Sequence, residues 1–549
     1  MTLSVTLDSI SLSAWGRPKK QLVQDVAFTV PAGTTMGIVG ESGSGKSLTA
    51  LAIMGLLPSG MAAHGRIQLD DTDLLSLSPA AMRKVRGRRI GMIFQEPMTA
   101  LNPAMRIGDQ IAEGLLAHKS IGKAEARRVT LQLLERVHMP DAARRIDVYP
   151  HELSGGQRQR VGIAIALAPG PSLLIADEPT TALDVTVQAE VLALLGELIT
   201  DLNMSLLMIS HDIGVIASIC ERTMVMRSGR YVESGDTLNL LRAPKEAYTR
   251  RLLAAVPRRG DYERAQAATS SPDEQPVLDV SGLQKQYRSM SGQALTKALD
   301  GVSFSVNQGT IFGIVGESGC GKSTLSRIVM GLDKPTSGDV LFRGENIFDM
   351  PSRDLRRARQ GFQMVFQDPQ GSLDPRQRVS TIVAEPLYLD SNAPRGARRA
   401  DLLAEALTSV GLSPDDLKKY PHQFSGGQRQ RIAIARALIC QPQLVVADEP
   451  VSALDLSVQG QVLDLIRELR DRKGIAFLFI SHSLAVVESI SDHVGVMSEG
   501  RFVELGTARE VFRNPKHPYT KQLIEAEPRL DQPRRYGLSP AAPVRSNAR

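Results

Sequence analysis

GIVGESGSGKS at 37–47 decides the fold, because it returns as GIVGESGCGKS at 313–323. Each copy follows an apolar run (TMGIV, TIFGIV) and opens a helical stretch. Anion binding needs that context: glycines let backbone N–H groups approach phosphate, and a helix start adds partial positive charge. Both stretches therefore predict a phosphate-binding P-loop. Gly40, Glu41, Ser42, Gly43, Ser44 and Gly45 form the first candidate cradle, and Gly316, Glu317, Ser318, Gly319, Cys320 and Gly321 the second. Lys46 and Lys322 are expected to hold the β- and γ-phosphates, and Ser47 and Ser323 to bind Mg²⁺. Leu48 and Thr324 follow those serines in the candidate nucleotide-contact set and differ between copies, with little expected consequence.

The repetition continues outward in the same order. YPHELSGGQRQR at 149–160 answers YPHQFSGGQRQR at 420–431, IADEPTTALD at 175–184 answers VADEPVSALD at 446–455, and MISHD at 208–212 answers FISHS at 479–483. The lag runs from 276 (Lys46 to Lys322) to 271 (His211 to His482), about half of the 549 residues, so one domain is duplicated. Within each copy, short β-branched runs alternate with amphipathic helical stretches, which predicts an α/β sheet domain. The expected domains are 1–256 and 277–530. Between them, PRRGDYERAQAATSSPDEQP at 257–276 is polar and lacks periodicity; as a coil it would span about 25 Å. The Pro-, Ser- and Arg-rich tail at 531–549 is expected to be disordered.

SLLIADE at 172–178 and QLVVADE at 443–449 read as buried strands delivering paired acids to their C-terminal ends. Two acids allow two roles: Asp177 and Asp448 would hold Mg²⁺ through water, while Glu178 and Glu449 would activate the attacking water as general bases. His211 and His482 sit just past apolar runs, placed to contact a γ-phosphate. Ser154, Gly155, Gly156 and Gln157, with Ser425, Gly426, Gly427 and Gln428, precede Gln/Arg-rich helical runs and read as further anion-accepting helix starts.

Composition removes several other classes. With 42% apolar and 23% charged residues the chain reads as globular. Cys220, Cys320 and Cys440 lie about a hundred residues apart, which offers neither a disulfide framework nor a CxxC-type metal site. The apolar run at 162–176 is broken by Pro169 and Pro171, and MTLSVTLDSI at the start has no signal-peptide pattern, so a cytoplasmic location is expected. A net charge of +6 with 4% aromatics lacks the basic stripe and stacking rings of a nucleic-acid binder, so no nucleic-acid partner is expected.

Two P-loops, two Ser-Gly-Gly-Gln signatures, two Asp-Glu strand ends and two histidines resemble the paired P-loop ATPase domains of ATP-binding-cassette transporters over nearly the whole chain. The resemblance implies an ATPase using ATP and Mg²⁺, each domain carrying a helical subdomain at about 104–148 and 376–419. It implies that Gln95 and Gln367 are Q-loop glutamines sensing Mg²⁺ and the membrane subunit, that Trp15 and Tyr287 stack on adenine, and that Asp184 and Asp455 form D-loops. It further implies intramolecular head-to-tail pairing. Lys46, Glu178 and His211 would then work with Ser425 to Gln428, and Lys322, Glu449 and His482 with Ser154 to Gln157. Both glutamates and both signatures are present, so two hydrolytic sites are expected.

QEPMTALNP at 95–103, QDPQGSLDP at 367–375 and NPKHPYTKQL at 514–523 resemble the dipeptide/oligopeptide/nickel importer branch; PKEAYTRRLL at 244–253 lacks the His-Pro pair. EPTTALD with Ile165 resembles one ATPase subunit of that branch and EPVSALD with Arg436 the other. The chain thus looks like a fusion of both, as in glutathione, microcin C and oligopeptide importers. That implies peptide uptake through two separate integral-membrane permeases, an indirect periplasmic or extracellular solute-binding protein, and a peripheral place on the cytoplasmic face of the cell membrane. Nickel or another solute stays open as cargo. A soluble tandem cassette acting on ribosomes is the alternative from another class, disfavoured by the short linker and the lack of zinc-type cysteines.

Overall fold

The structure, a computed structural model, describes residues 1–12, 20–95, 100–181, 183–256, 275–288, 295–390, 393–452, 454–530 and 536. Trp15, the linker up to residue 274 and the tail except Tyr536 lie outside the described residues. The chain divides into two compact units, Met1–Ala254 together with Pro528–Arg549, and Ala255–Glu527.

In the first unit the apolar runs become fully buried strands at Thr35–Val39, Leu173–Asp177 and Ser205–Ser210. Parallel strands covered on both faces are expected to be apolar without alternation. Ile90–Ile93, Leu173–Asp177, Ser205–Ser210, Thr35–Val39 and Arg222–Arg227 lie side by side in that order, each parallel to the next. Their C-terminal ends bring Val39, Asp177 and Ser210 to one edge, where open α/β sheets bind ligands. Leu3–Leu12 pairs antiparallel with Lys20–Val30 and Met61–Leu69, completing a ten-stranded sheet. Leu3, Val5 and Leu7 on one face join Ile38, Ile175 and Leu207 in the core.

In sequence between Ile90–Ile93 and Leu173–Asp177, Ile107–His118 and Lys123–Arg136 form the expected helical segment, and Gly155–Leu167 is the signature helix. Ile111, Leu115 and Leu134 are fully buried, which ties this segment to the unit.

The second unit repeats the order: Phe362–Val365, Leu444–Asp448, Ala476–Ile480, Ile311–Val315, His493–Ser498 and Arg501–Thr507. The antiparallel strands Leu278–Arg288, Leu295–Val306 and Ser337–Phe342 belong to a separate four-stranded sheet. The difference is small. Where Arg230 bridges Gln24 in the first unit, the second makes the same join with Asp300 N–H donating to Gly500 O at 2.9 Å and Arg501 Nε donating to Asp300 at 2.8 Å. Helices at Val379–Ala384 and Ala397–Ser409 precede the signature helix Gly426–Leu438. Among the described residues no helix is long and apolar enough to cross a membrane.

Candidate nucleotide site

Each P-loop joins a buried strand to a helix, Lys46–Ile53 or Lys322–Val329, that begins at a left-handed residue: Gly45 at φ 95° and Gly321 at φ 110°. A Cβ at Gly45 would also stand 2.7 Å from the Val23 side chain, so glycine is required for two reasons. Lys46 is buried and its Nζ donates to Gly40 O at 2.7 Å and Glu41 O at 3.0 Å. Lys322 repeats this on Gly316 O and Glu317 O, both at 2.7 Å. Each ammonium is thus held over its loop by carbonyls that phosphate oxygens can replace.

The strand acids follow. Asp177 Oδ1 accepts from Ser47 Oγ at 3.0 Å; burial, opposed by that hydrogen bond, pushes the carboxyl up to about 6. In the second unit Asp448 takes its hydrogen bond one turn further along the helix, from Ser326 Oγ at 2.9 Å. Burial again raises it. Its Oδ1 is buried with no hydrogen-bond partner, and such an oxygen beside a P-loop suits a hard divalent cation.

Glu178 and Glu449 sit at φ 47° and 46°, a left-handed conformation non-glycine residues seldom adopt and one that recurs at functional sites. Their N–H groups reach Ile209 O and Ile480 O on the neighbouring strands at 2.9 Å, which brings the next strand's histidine alongside. Glu178 Oε2 accepts from Gln95 Nε2 at 2.9 Å and Thr181 Oγ1 at 2.9 Å, and lies 3.1 Å from His211 Nδ1. Burial works to raise this carboxyl, yet the His211 hydrogen bond and charge, with Thr181 and Lys46, hold it below its ordinary value. The Glu178 hydrogen bond, against burial, raises His211. Glu449 repeats the set with Gln367 Nε2 at 2.7 Å and His482 Nδ1 at 3.3 Å, and despite burial is likewise lowered.

Four stretches far apart in sequence therefore converge in each unit, bringing together the lysine, the consecutive aspartate and glutamate, the glutamine and the histidine. Tyr287, in the second unit, is exposed, its hydroxyl donating to Asp333 at 2.7 Å and Lys285 Nζ lying 4.9 Å over its ring. Trp15 lies outside the described residues. Ser154 and Ser425 cap the signature helices: each Oγ accepts from the Gln157 or Gln428 N–H, and each glutamine side chain reaches back to the serine N–H. The first signature glycines are exposed, whereas a Cβ at Gly156 or Gly427 would fall 2.4 or 2.1 Å from Val187 or Val458. Asp184 and Asp455 are the N-cap residues of Val185–Asp201 and Leu456–Lys473.

Two participants were not legible in the sequence. Thr181 is a plain residue of EPTTALD until the strand end turns Glu178 toward it. Ser326 has Ala50 as its counterpart in the first copy, so the repeat carries no signal for it.

Residues 23–181 and 299–452 match the ABC transporter family, and residues 232–281 and 503–548 match the family described as the C-terminal region of oligopeptide/dipeptide transporters. The chain belongs to the ABC transporter ATPases: two cassettes of P-loop NTPase fold that bind and hydrolyse ATP. It is 44% identical over 545 residues to the glutathione import ATP-binding protein GsiA of Pectobacterium atrosepticum, covering 93% of this chain and 87% of that one. The GsiA of Escherichia coli K12 is also 44% identical, over 560 residues covering 95% and 89%. Among solved structures, the dimeric post-hydrolysis cassette MJ0796 bound to ADP and Pi is 29% identical over 42% of this chain and 99% of its own, with a TM-score of 0.39.

Proposed function

We propose that this chain is the ATP-hydrolysing subunit of an importer for peptides or peptide-like solutes, working through two separate membrane permeases. The observation that carries the proposal is the intact glutamate cluster in each cassette, Gln95–Glu178–His211 and Gln367–Glu449–His482, in a chain that ends in an oligopeptide/dipeptide-type region. Its 44% identity to glutathione importers supports the peptide class of cargo.

In this reading Lys46 and Lys322 exchange loop carbonyls for the β- and γ-phosphates, with the loops Gly40 to Leu48 and Gly316 to Thr324 donating N–H groups apart from that of Glu317, which is taken by the Tyr519 hydroxyl. Bound Mg²⁺ would be held by Ser47, Gln95 and Asp177, and by Ser323, Gln367 and Asp448, and would neutralise phosphate charge. Glu178 and Glu449, kept ionised, accept the proton of the attacking water. His211 and His482 steady those carboxylates and face the γ-phosphate. Tyr287 and Trp15 are assigned to adenine. The exposed, capped signature helix starts suit an anion presented by another cassette, which supports head-to-tail pairing of Ser154 to Gln157 with the Lys322 site and Ser425 to Gln428 with the Lys46 site. The domain reading is 1–256 and 277–530. The helical segments would receive the permeases on the cytoplasmic face, with a solute-binding protein acting indirectly.

The test is uptake of labelled glutathione and of a labelled oligopeptide by cells lacking the chromosomal copy. Wild type should restore uptake of at least one solute, and a chain carrying Lys46→Ala with Lys322→Ala should restore neither. Peptide uptake indifferent to the chain would overturn the proposal.

A further inference from the structure

The HPYT stretch of the second cassette has no part in the chemistry above, yet each of its residues is fixed. Glu504, on Arg501–Thr507, accepts the N–H groups of Lys516 at 2.8 Å and His517 at 3.1 Å. His517 is the N-cap of the helix Pro518–Ala526, its Nδ1 accepting from the Tyr519 N–H at 3.2 Å, and Pro518 is the first helical residue. Thr520 is fully buried. These anchors leave Tyr519 aimed at the P-loop: its hydroxyl oxygen accepts from the Glu317 N–H at 3.2 Å. The carbonyl of the same Glu317 accepts from Lys322 Nζ at 2.7 Å. One loop residue is therefore gripped on its N–H by the C-terminal extension and on its C=O by the phosphate-binding lysine. Burial pushes the Tyr519 phenol up to about 12, so it stays neutral and Ser498 stands beside it.

The first cassette is built differently here. Tyr248 occupies the corresponding place, but Arg227 stands where the second cassette has Ser498, and its guanidinium lies 4.8 Å over the Tyr248 ring. Glu246 replaces His517.

We propose that Tyr519 is a positioning residue for the second nucleotide site, bracing the start of the P-loop and so coupling the helix Pro518–Ala526 to nucleotide affinity. When Lys322 leaves the Glu317 carbonyl for phosphate, Tyr519 still holds that residue, so the loop need not reorganise to receive the ligand. By reciprocity, nucleotide in this loop steadies the extension, and a partner that shifts the extension alters nucleotide binding. The inference rests on the assignment of the Lys322 loop to nucleotide.

The test uses the full chain. In a Lys46→Ala background, where remaining affinity reports the Lys322 loop, equilibrium binding of a fluorescent ATP analogue is compared with and without Tyr519→Phe. The expected result is a dissociation constant raised about 3- to 10-fold, the span of one hydrogen bond. In the otherwise wild-type chain Tyr519→Phe should raise KM for ATP with kcat held within about twofold, since the brace serves ground and transition states alike. Ser498→Ala should move KM in the same direction by less. Affinity and KM both within about 1.5-fold of the parent would overturn the brace, as would a fall in kcat at constant KM. A Lys46→Ala chain that binds no ATP while Lys322→Ala binds it would overturn the site assignment itself, and the inference with it.

Discussion

Glu178→Gln combined with Glu449→Gln separates proton acceptance from binding. Glutamine keeps the volume of glutamate, and its carbonyl oxygen can still face Gln95, Thr181 and His211 in one site and Gln367 and His482 in the other. What disappears is the charge able to take a proton from water. General-base assistance contributes roughly 10²- to 10⁴-fold, so kcat should fall to between about one hundredth and one ten-thousandth of wild type. Nucleotide affinity should hold or improve, because Lys46 and Lys322 keep their contacts and a negative charge beside the phosphates is removed. The assay is phosphate release at saturating ATP and Mg²⁺, run beside equilibrium nucleotide binding on the same preparation. Turnover above about a third of wild type, with binding intact, would refute the assignment of these carboxylates as bases.

Other substitutions probe what surrounds the chemistry. Gly427→Ala must displace Val458 and should cost about 1–3 kcal/mol in chemical denaturation, whereas Gly426→Ala, whose Cβ meets only Leu454 at 3.8 Å, should cost far less. Ser326→Ala leaves a buried Asp448 carboxylate without its hydroxyl donor and should destabilise the second cassette by about 1–3 kcal/mol, read by the same unfolding assay. Glu504→Gln should lower the melting temperature at neutral pH. Burial opposes it, but the Thr520 hydroxyl and the backbone N–H groups of Lys516 and His517 hold Glu504 below its ordinary 4.5, so its stabilisation is complete above 4.5 and lost as pH falls through the folded value. The melting gap between wild type and variant should therefore close on acidification, and a gap that persists there would contradict this account.

The P-loops, strand acids and signatures were legible because their chemistry is written in contiguous residues. Lys46 follows its own loop, and Asp177 ends its own strand. Gln95 and Glu178 are 83 residues apart, and their meeting depends on Ile90–Ile93 pairing with Leu173–Asp177, which motif matching supplies only by resemblance. The left-handed turn at Glu178 and Glu449 leaves no trace in composition. Sequence singled out Arg436 as the residue opposite Ile165, and packing shows what it holds. Its Nη1 donates to Ser372 O at 2.6 Å, tying the signature helix to the segment behind the Q-loop. The HPYT stretch was legible as a family mark, but its aim at Glu317 arises only when Arg501–Thr507 folds back beside His493–Ser498, the strand that ends at the P-loop edge.

In the proposed function these two cassettes drive a membrane importer. The most direct measurement is purification of the tagged chain from mildly solubilised membranes of its own cells, with quantitative mass spectrometry of what accompanies it. Two different polytopic membrane proteins should accompany it in amounts comparable to the chain. Recovery of ribosomal proteins in their place, or of the chain with no membrane protein at all, would contradict that function.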